Sequence, residues 1–153
     1  MTTATTAQYC TFLLDGLYFG VDVLKVQEVI RYQEMTRIPG APAVVSGIIN
    51  LRGQLVTALD LRRRLGLEPR QKGELPMNVV VRTEEGATSL LVDEIGDVIE
   101  LDDSTHERPP ETIDAITREV VRGVHKLQGR LLLVLDIERL IASSSATARE
   151  QDK

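Results

Sequence analysis

Val44–Leu65 reads VVSGIINLRGQLVTALDLRRRL, and Val120–Ile141 reads VVRGVHKLQGRLLLVLDIERLI. The two stretches align without a gap at an offset of 76. Nine of their 22 positions are identical: Val44/Val120, Val45/Val121, Gly47/Gly123, Leu51/Leu127, Gly53/Gly129, Leu55/Leu131, Leu59/Leu135, Asp60/Asp136 and Arg63/Arg139. Upstream, Gly16–Asp22 (GLYFGVD) answers Gly86–Asp93 (GATSLLVD) more weakly. Such self-similarity means one folding unit used twice. It also sorts residues. Those shared by both copies read as structural, and polar residues present in one copy only read as candidates for function.

Around this repeat the apolar period is mostly two. Short Val-, Ile- and Leu-rich segments at 9–14, 17–23, 25–31, 44–50, 54–59, 77–82, 88–93, 95–101, 120–126 and 130–135 are separated by turn signals such as Asp15-Gly16, Pro39-Gly40, Glu85-Gly86 and Gln128-Gly129. Evenly punctuated strands of this length predict small barrels, which close their sheets and remove exposed edges. The expected fold is mainly β: two fused five-stranded barrels with short helices. The first barrel is expected over about 21–75 and the second over about 76–141 with the N-terminal strand, followed by a disordered polar tail at 143–153.

Each repeat ends in an apolar strand, an Asp and a helix-like run. Asp60 and Asp136 therefore read as N-caps, which bind the orphan amides of a first helical turn. Gly66 reads as a left-handed helix stop, and Gly53 and Gly129 as hairpin glycines with positive φ. A further helical turn is expected within Glu111–Val120, after Pro109-Pro110.

The bulk numbers are those of an ordinary globular chain. It has 153 residues, 42% of them hydrophobic and 27% charged, with net charge −5 and pI near 5.1. An acidic balance argues against broad adhesion to phosphate backbones or anionic membranes. No apolar run reaches the length of a membrane span, and MTTATTAQ lacks the pattern of a secretory signal. A cytoplasmic location is expected. The single cysteine, Cys10, lies in the apolar run YCTFLL and reads as a small buried hydrophobe.

Chemistry is sparse. The chain carries no phosphate-binding glycine loop, nucleophile elbow or His-Glu-x-x-His motif. Its two histidines, His106 and His125, have no metal-spaced neighbours, and His125 stands where the first repeat has Ile49, as a tolerated strand residue. The carboxylate groups Asp93-Glu94 and Glu100-Asp102-Asp103 read as solvated loops. Neither an enzyme nor a cofactor or metal site is expected. Small barrels also bind nucleic acids, and Arg62-Arg63-Arg64 is the best support for that reading. Against it stand the acidic charge and only three tyrosines and two phenylalanines for base stacking, so the triplet reads as a solvated helix face.

Protein–protein binding remains, and the asymmetry between repeats marks where. Arg52 becomes Gln128 and Asn50 becomes Lys126. An arginine at a hairpin tip is a common interface anchor. In Val21–Arg31, on a strand, Val26 and Glu28 share one face. The stretch reads either as a small mixed patch suited to a partner, with no obvious equivalent of Glu28 in the second copy, or as an ordinary strand in a barrel wall.

Phe19-Gly-Val-Asp-Val-Leu-Lys-Val-Gln-Glu-Val, Thr36-Arg-Ile-Pro, Gly47-Ile-Ile-Asn-Leu-Arg-Gly and Leu59-Asp-Leu-Arg resemble the CheW family of bacterial chemotaxis coupling proteins, over about Tyr9 to Ile141. The resemblance implies two SH3-like barrels packed across a hydrophobic interior. It also implies a non-catalytic adaptor that links chemoreceptor tips to the regulatory domain of the histidine kinase CheA, recruited to membrane-associated arrays, with self-association there left open. Val26, Glu28, Gly47 and Arg52 fall on family motif positions associated with receptor and kinase binding, and Asn50 joins them as a candidate. An adaptor of the same build serving pilus motility or a second-messenger pathway is the alternative. One departure stands out: Thr57 occupies a place that is usually proline in this family, which restores an amide donor and is expected to alter local edge pairing.

Overall fold

The computed structural model describes residues 6–142; the tail expected to be disordered lies outside them. Eleven strands follow the apolar segments: β1 (Ala7–Leu14), β2 (Leu17–Asp22), β3 (Val26–Ile30), β4 (Val45–Leu51), β5 (Gln54–Asp60), β6 (Met77–Thr83), β7 (Gly86–Val92), β8 (Glu94–Leu101), β9 (His106–Glu107), β10 (Val121–Leu127) and β11 (Arg130–Leu135). Helix α1 (Leu61–Arg64) follows β5, α2 (Ala115–Val120) precedes β10, and helical turns over 137–142 follow β11. Only the two-residue β9 escapes the sequence pattern.

The strands form two curled sheets, ordered β3-β6-β7-β5-β4 and β8-β1-β2-β11-β10-β9. This corrects the expected division near residue 76. The β6–β7 hairpin belongs to the first barrel, pairing antiparallel with β3 and parallel with β5. The N-terminal strand β1 is already expected in the second barrel; its hairpin partner β2 lies there too, β1 pairing with β8 and β2, in parallel, with β11. Each sequence repeat thus lends its leading hairpin to the other barrel, as identical elements are exchanged in a domain swap. The swap forces the crossovers β2–β3 and β7–β8 to pass between barrels.

Three apolar clusters result. Ile49, Leu51, Val56, Ala58, Val80 and Leu91 fill the first barrel, and Tyr9, Tyr18, Leu132 and Val134 the second. The largest lies between them and includes Phe12, Phe19, Val79, Val81, Leu90, Val120, Val124, Leu133 and Leu135. Phe12 and Phe19 stack there with ring centroids 5.7 Å apart. The continuous run Val79-Val80-Val81 follows from this layering, because β6 presents one face to its own barrel and the other to the seam. The first barrel also encloses a polar pair: the Ser89 hydroxyl donates to Asn78 Oδ1 at 2.7 Å, and Asn78 Nδ2 to the Arg31 carbonyl at 3.0 Å.

Both Asp caps form. Asp60 Oδ1 accepts from the Arg62 amide and Asp136 Oδ1 from the Arg139 amide, each at 3.1 Å. Gly66, at φ +70°, closes α1 as the Leu67 amide reaches the Arg62 carbonyl at 2.8 Å. Thr57 is paired on both sides, with Ile48 of β4 and Thr88 of β7, so its restored amide stands in the interior of the sheet rather than at an edge.

Candidate protein-binding site on the first barrel

The β4–β5 hairpin turns at Arg52-Gly53, with φ of +50° and +90°. Two consecutive positive φ values match the right-handed twist of the flanking strands. Glycine takes that conformation freely, whereas an arginine pays a steric cost. Among the described residues the other non-glycine with positive φ is Asp15, a usual turn residue. Asn50 Oδ1 accepts from the Gly53 amide at 2.8 Å and so braces the tip.

From this tip Arg52 reaches across to β3 and pairs with Glu28. The arginine side chain is 71% exposed and the glutamate 20%. Arg52 and the Gln27 amide, both hydrogen-bonded to it, hold the Glu28 carboxyl below its ordinary range. The chain of contacts continues as Arg82 Nε donates to Gln27 Oε1 at 3.0 Å and Gln27 Nε2 to Glu28 Oε2 at 3.3 Å. Because β3 and β4 are the two ends of the first sheet, the Glu28–Arg52 pair spans the gap between them.

The five residues singled out by sequence do not form one patch. Glu28, Asn50 and Arg52 meet at the hairpin tip. Gly47 lies buried within β4, where a Cβ would stand 2.7 Å from the Thr36 carbonyl oxygen and 3.0 Å from Met35 Cβ. The Thr36 and Ile48 backbones exchange hydrogen bonds of 2.9 and 2.8 Å over this spot. Val26 corrects the shared-face expectation. A register shift places Val26 opposite Val81 and Glu28 opposite Val80, so strict alternation fails at Gln27. Val26 packs on the apolar seam while Glu28 turns to Arg52.

Two features escaped sequence reasoning. Leu55, opposite Asn50 in the ladder, is exposed beside the tip. The repeat marked it as structural because Leu131 matches it. Leu131, however, lies in a cleft of about 360 Å³ with Ile113 and Leu67, under the α2 connection that the first barrel lacks. The second feature is the basic triplet: only Arg63 is exposed, whereas Arg62 is enclosed by carboxylates, which corrects both the solvated helix face and the solvated Asp93. His125, also expected as a plain strand residue, is buried, with Thr105 Oγ1 2.9 Å from its Nδ1. Among the described residues no group of three or more His, Cys, Asp or Glu side chains is placed to hold a metal ion, and no helix is long and apolar enough to cross a membrane.

A family model described as a CheW-like domain matches residues 8–145. The chain belongs to the CheW family. Chemotaxis protein CheW of Klebsiella aerogenes is 31% identical over 136 residues, covering 89% of this chain and 82% of that protein. Its namesake in Treponema pallidum is 31% identical over 140 residues, with the same coverage. Among solved structures, the scaffolding protein TtCheW from Thermoanaerobacter tengcongensis superposes with a TM-score of 0.75 at 30% identity, covering 86% of this chain and 89% of that one. The two-barrel build is thus that of the CheW fold.

Proposed function

We propose that this chain is a non-catalytic chemotaxis scaffold, which couples the cytoplasmic tips of chemoreceptors to the regulatory domain of the histidine kinase CheA. The observation that carries the reading is the Arg52 turn. A strained, largely exposed arginine is braced by Asn50 and aimed by Glu28, while the second barrel has Gln128 and Lys126 at the same places. Strain kept at an exposed tip points to use by a partner, and a pre-aimed guanidinium loses little freedom when it meets a carboxylate.

Coupling then works by geometry. Simultaneous engagement of receptor and kinase raises their effective concentration and fixes their orientation. Differential contacts in two receptor states bias the kinase between active and inactive forms. The chain acts in the cytoplasm at membrane-associated arrays, without inserting into the bilayer or binding nucleic acid.

The test is co-sedimentation with receptor-containing membranes and binding to the isolated regulatory domain. Arg52→Ala should fold normally and lose about 30-fold or more in affinity for at least one partner, as an interface anchor does. Glu28→Lys should behave alike. Normal binding by both variants would remove the site from this account. A second reading changes only the pathway, to pilus motility or second-messenger signalling. It draws on similarity to protein PilI of Pseudomonas aeruginosa, 28% identical over 115 residues, covering 74% of this chain and 64% of that protein.

A further inference from the structure

The seam between the barrels is built differently at its two ends. At one end stands Asp93, the residue joining β7 of the first barrel to β8 of the second. Its carboxylate accepts from Arg62 Nε at 2.9 Å, Arg62 Nη2 at 2.6 Å, Arg70 Nη2 at 3.1 Å and the Asp15 amide at 2.8 Å. Arg62 and Arg70 belong to α1 and the loop after it, on the first barrel, and Asp15 to the β1–β2 turn of the second. Arg62 also donates to the Glu68 carbonyl at 2.8 Å and lies 3.7 Å from the Asp15 carboxylate. The Arg62, Asp93 and Arg70 side chains are 12%, 17% and 11% exposed. Burial opposes the charge on Asp93, yet its bonds from Arg62, Asp15 and Arg70 outweigh burial and hold the carboxyl below its ordinary range.

The repeat supplies the comparison. At the opposite end Glu138 stands in place of Arg62 and Asp22 in place of Asp93. Glu138 pairs there with Lys25 at 2.8 Å, but the side chains are 53% and 44% exposed, and Asp22 lies 3.7 Å from Arg122. One end of the seam is clasped and the other is open to solvent.

We propose that Asp93 is a positioning residue that fixes the orientation of one barrel against the other. The apolar seam holds the barrels in contact, but hydrophobic attraction is non-directional. A planar guanidinium on a carboxylate prescribes both distance and angle, and partial burial protects it from screening. This role rests on the geometry of the seam and not on the adaptor reading, so its test uses no partner.

The experiment is pulsed electron paramagnetic resonance on the full chain in a Cys10→Ala background. Nitroxides are placed at Glu85→Cys and Gln128→Cys, in exposed turns of the first and second barrels. Asp93→Asn keeps the shape and removes the charge; it should broaden the distance distribution about twofold, since the directional bidentate bond is lost, while far-UV circular dichroism and amide protection of β6–β7 and β10–β11 stay unchanged. Arg62→Lys keeps the charge and loses the fork, and should broaden the distribution as well. A width equal to wild type in both variants would reduce the clasp to a structural ion pair and overturn the proposal. Loss of the fold in both would make it a folding determinant and overturn it equally.

Discussion

Gly47→Ala separates fold from interface at a position that sequence assigns to both. The added Cβ would lie 2.7 Å from a backbone oxygen, that of Thr36, and 3.0 Å from Met35 Cβ. A backbone atom cannot swing aside as a flexible side chain can, so the 35–36 segment must move. Overpacking of this kind costs about 1–3 kcal/mol. Weakening the paired Thr36–Ile48 hydrogen bonds adds about 1 kcal/mol. The sum, about 2–4 kcal/mol, corresponds to roughly 5–15 °C in Tm for a domain of this size. Gly123→Ala is the internal control: its Cβ would meet nothing nearer than His106 Nε2 at 3.4 Å. Differential scanning calorimetry of the two variants should show a large loss at Gly47 and little at Gly123. A Gly47→Ala protein that melts with wild type yet fails to bind partners would refute the packing argument and place Gly47 in the interface itself.

Three further outcomes are expected. Arg52→Gly relieves the positive φ that Arg52→Ala retains, so by thermal melting it should lie about 2–6 °C above the alanine variant, with the same loss of binding. Ser89→Ala strands Asn78 Oδ1 inside the first barrel and should cost about 1–3 kcal/mol in urea unfolding. Burial, then the neighbouring His106, lowers the pKa of His125 below its ordinary 6.5. The unfolded chain therefore takes up this proton first, and stability should fall as pH drops below about 6.5, levelling once the folded protein is protonated too. His125→Ile, which installs the residue found at Ile49, should flatten that slope in denaturant titrations at pH 7 and 5.

Strand positions were legible because period-two patterning and turn residues are local signals. Ten segments read from sequence became ten strands; β9 was missed because two residues carry no period. The repeat exposed the two-barrel build but hid the exchange of hairpins. Pairing partners are not written in either copy, so the boundary expected near residue 76 was wrong even though the strands were right. At the site, one-copy residues pointed to the Arg52 tip and its Asn50 brace. The Gln27 bulge, which turns Val26 inward, depends on register against β6 and has no local signature. Leu55 failed for the opposite reason: a shared residue is structural only if both copies are covered alike, and α2 covers only one. Arg62 and Asp93 looked like surface charges because their pairing links residues 31 apart across a barrel boundary.

The most direct test of the account is CheA autophosphorylation in receptor-containing membranes, with and without this protein. The account predicts strong activation on adding the protein, suppressed by attractant and lost with Arg52→Ala. Binding to both receptor and kinase with no activation, or activation indifferent to attractant, would contradict it.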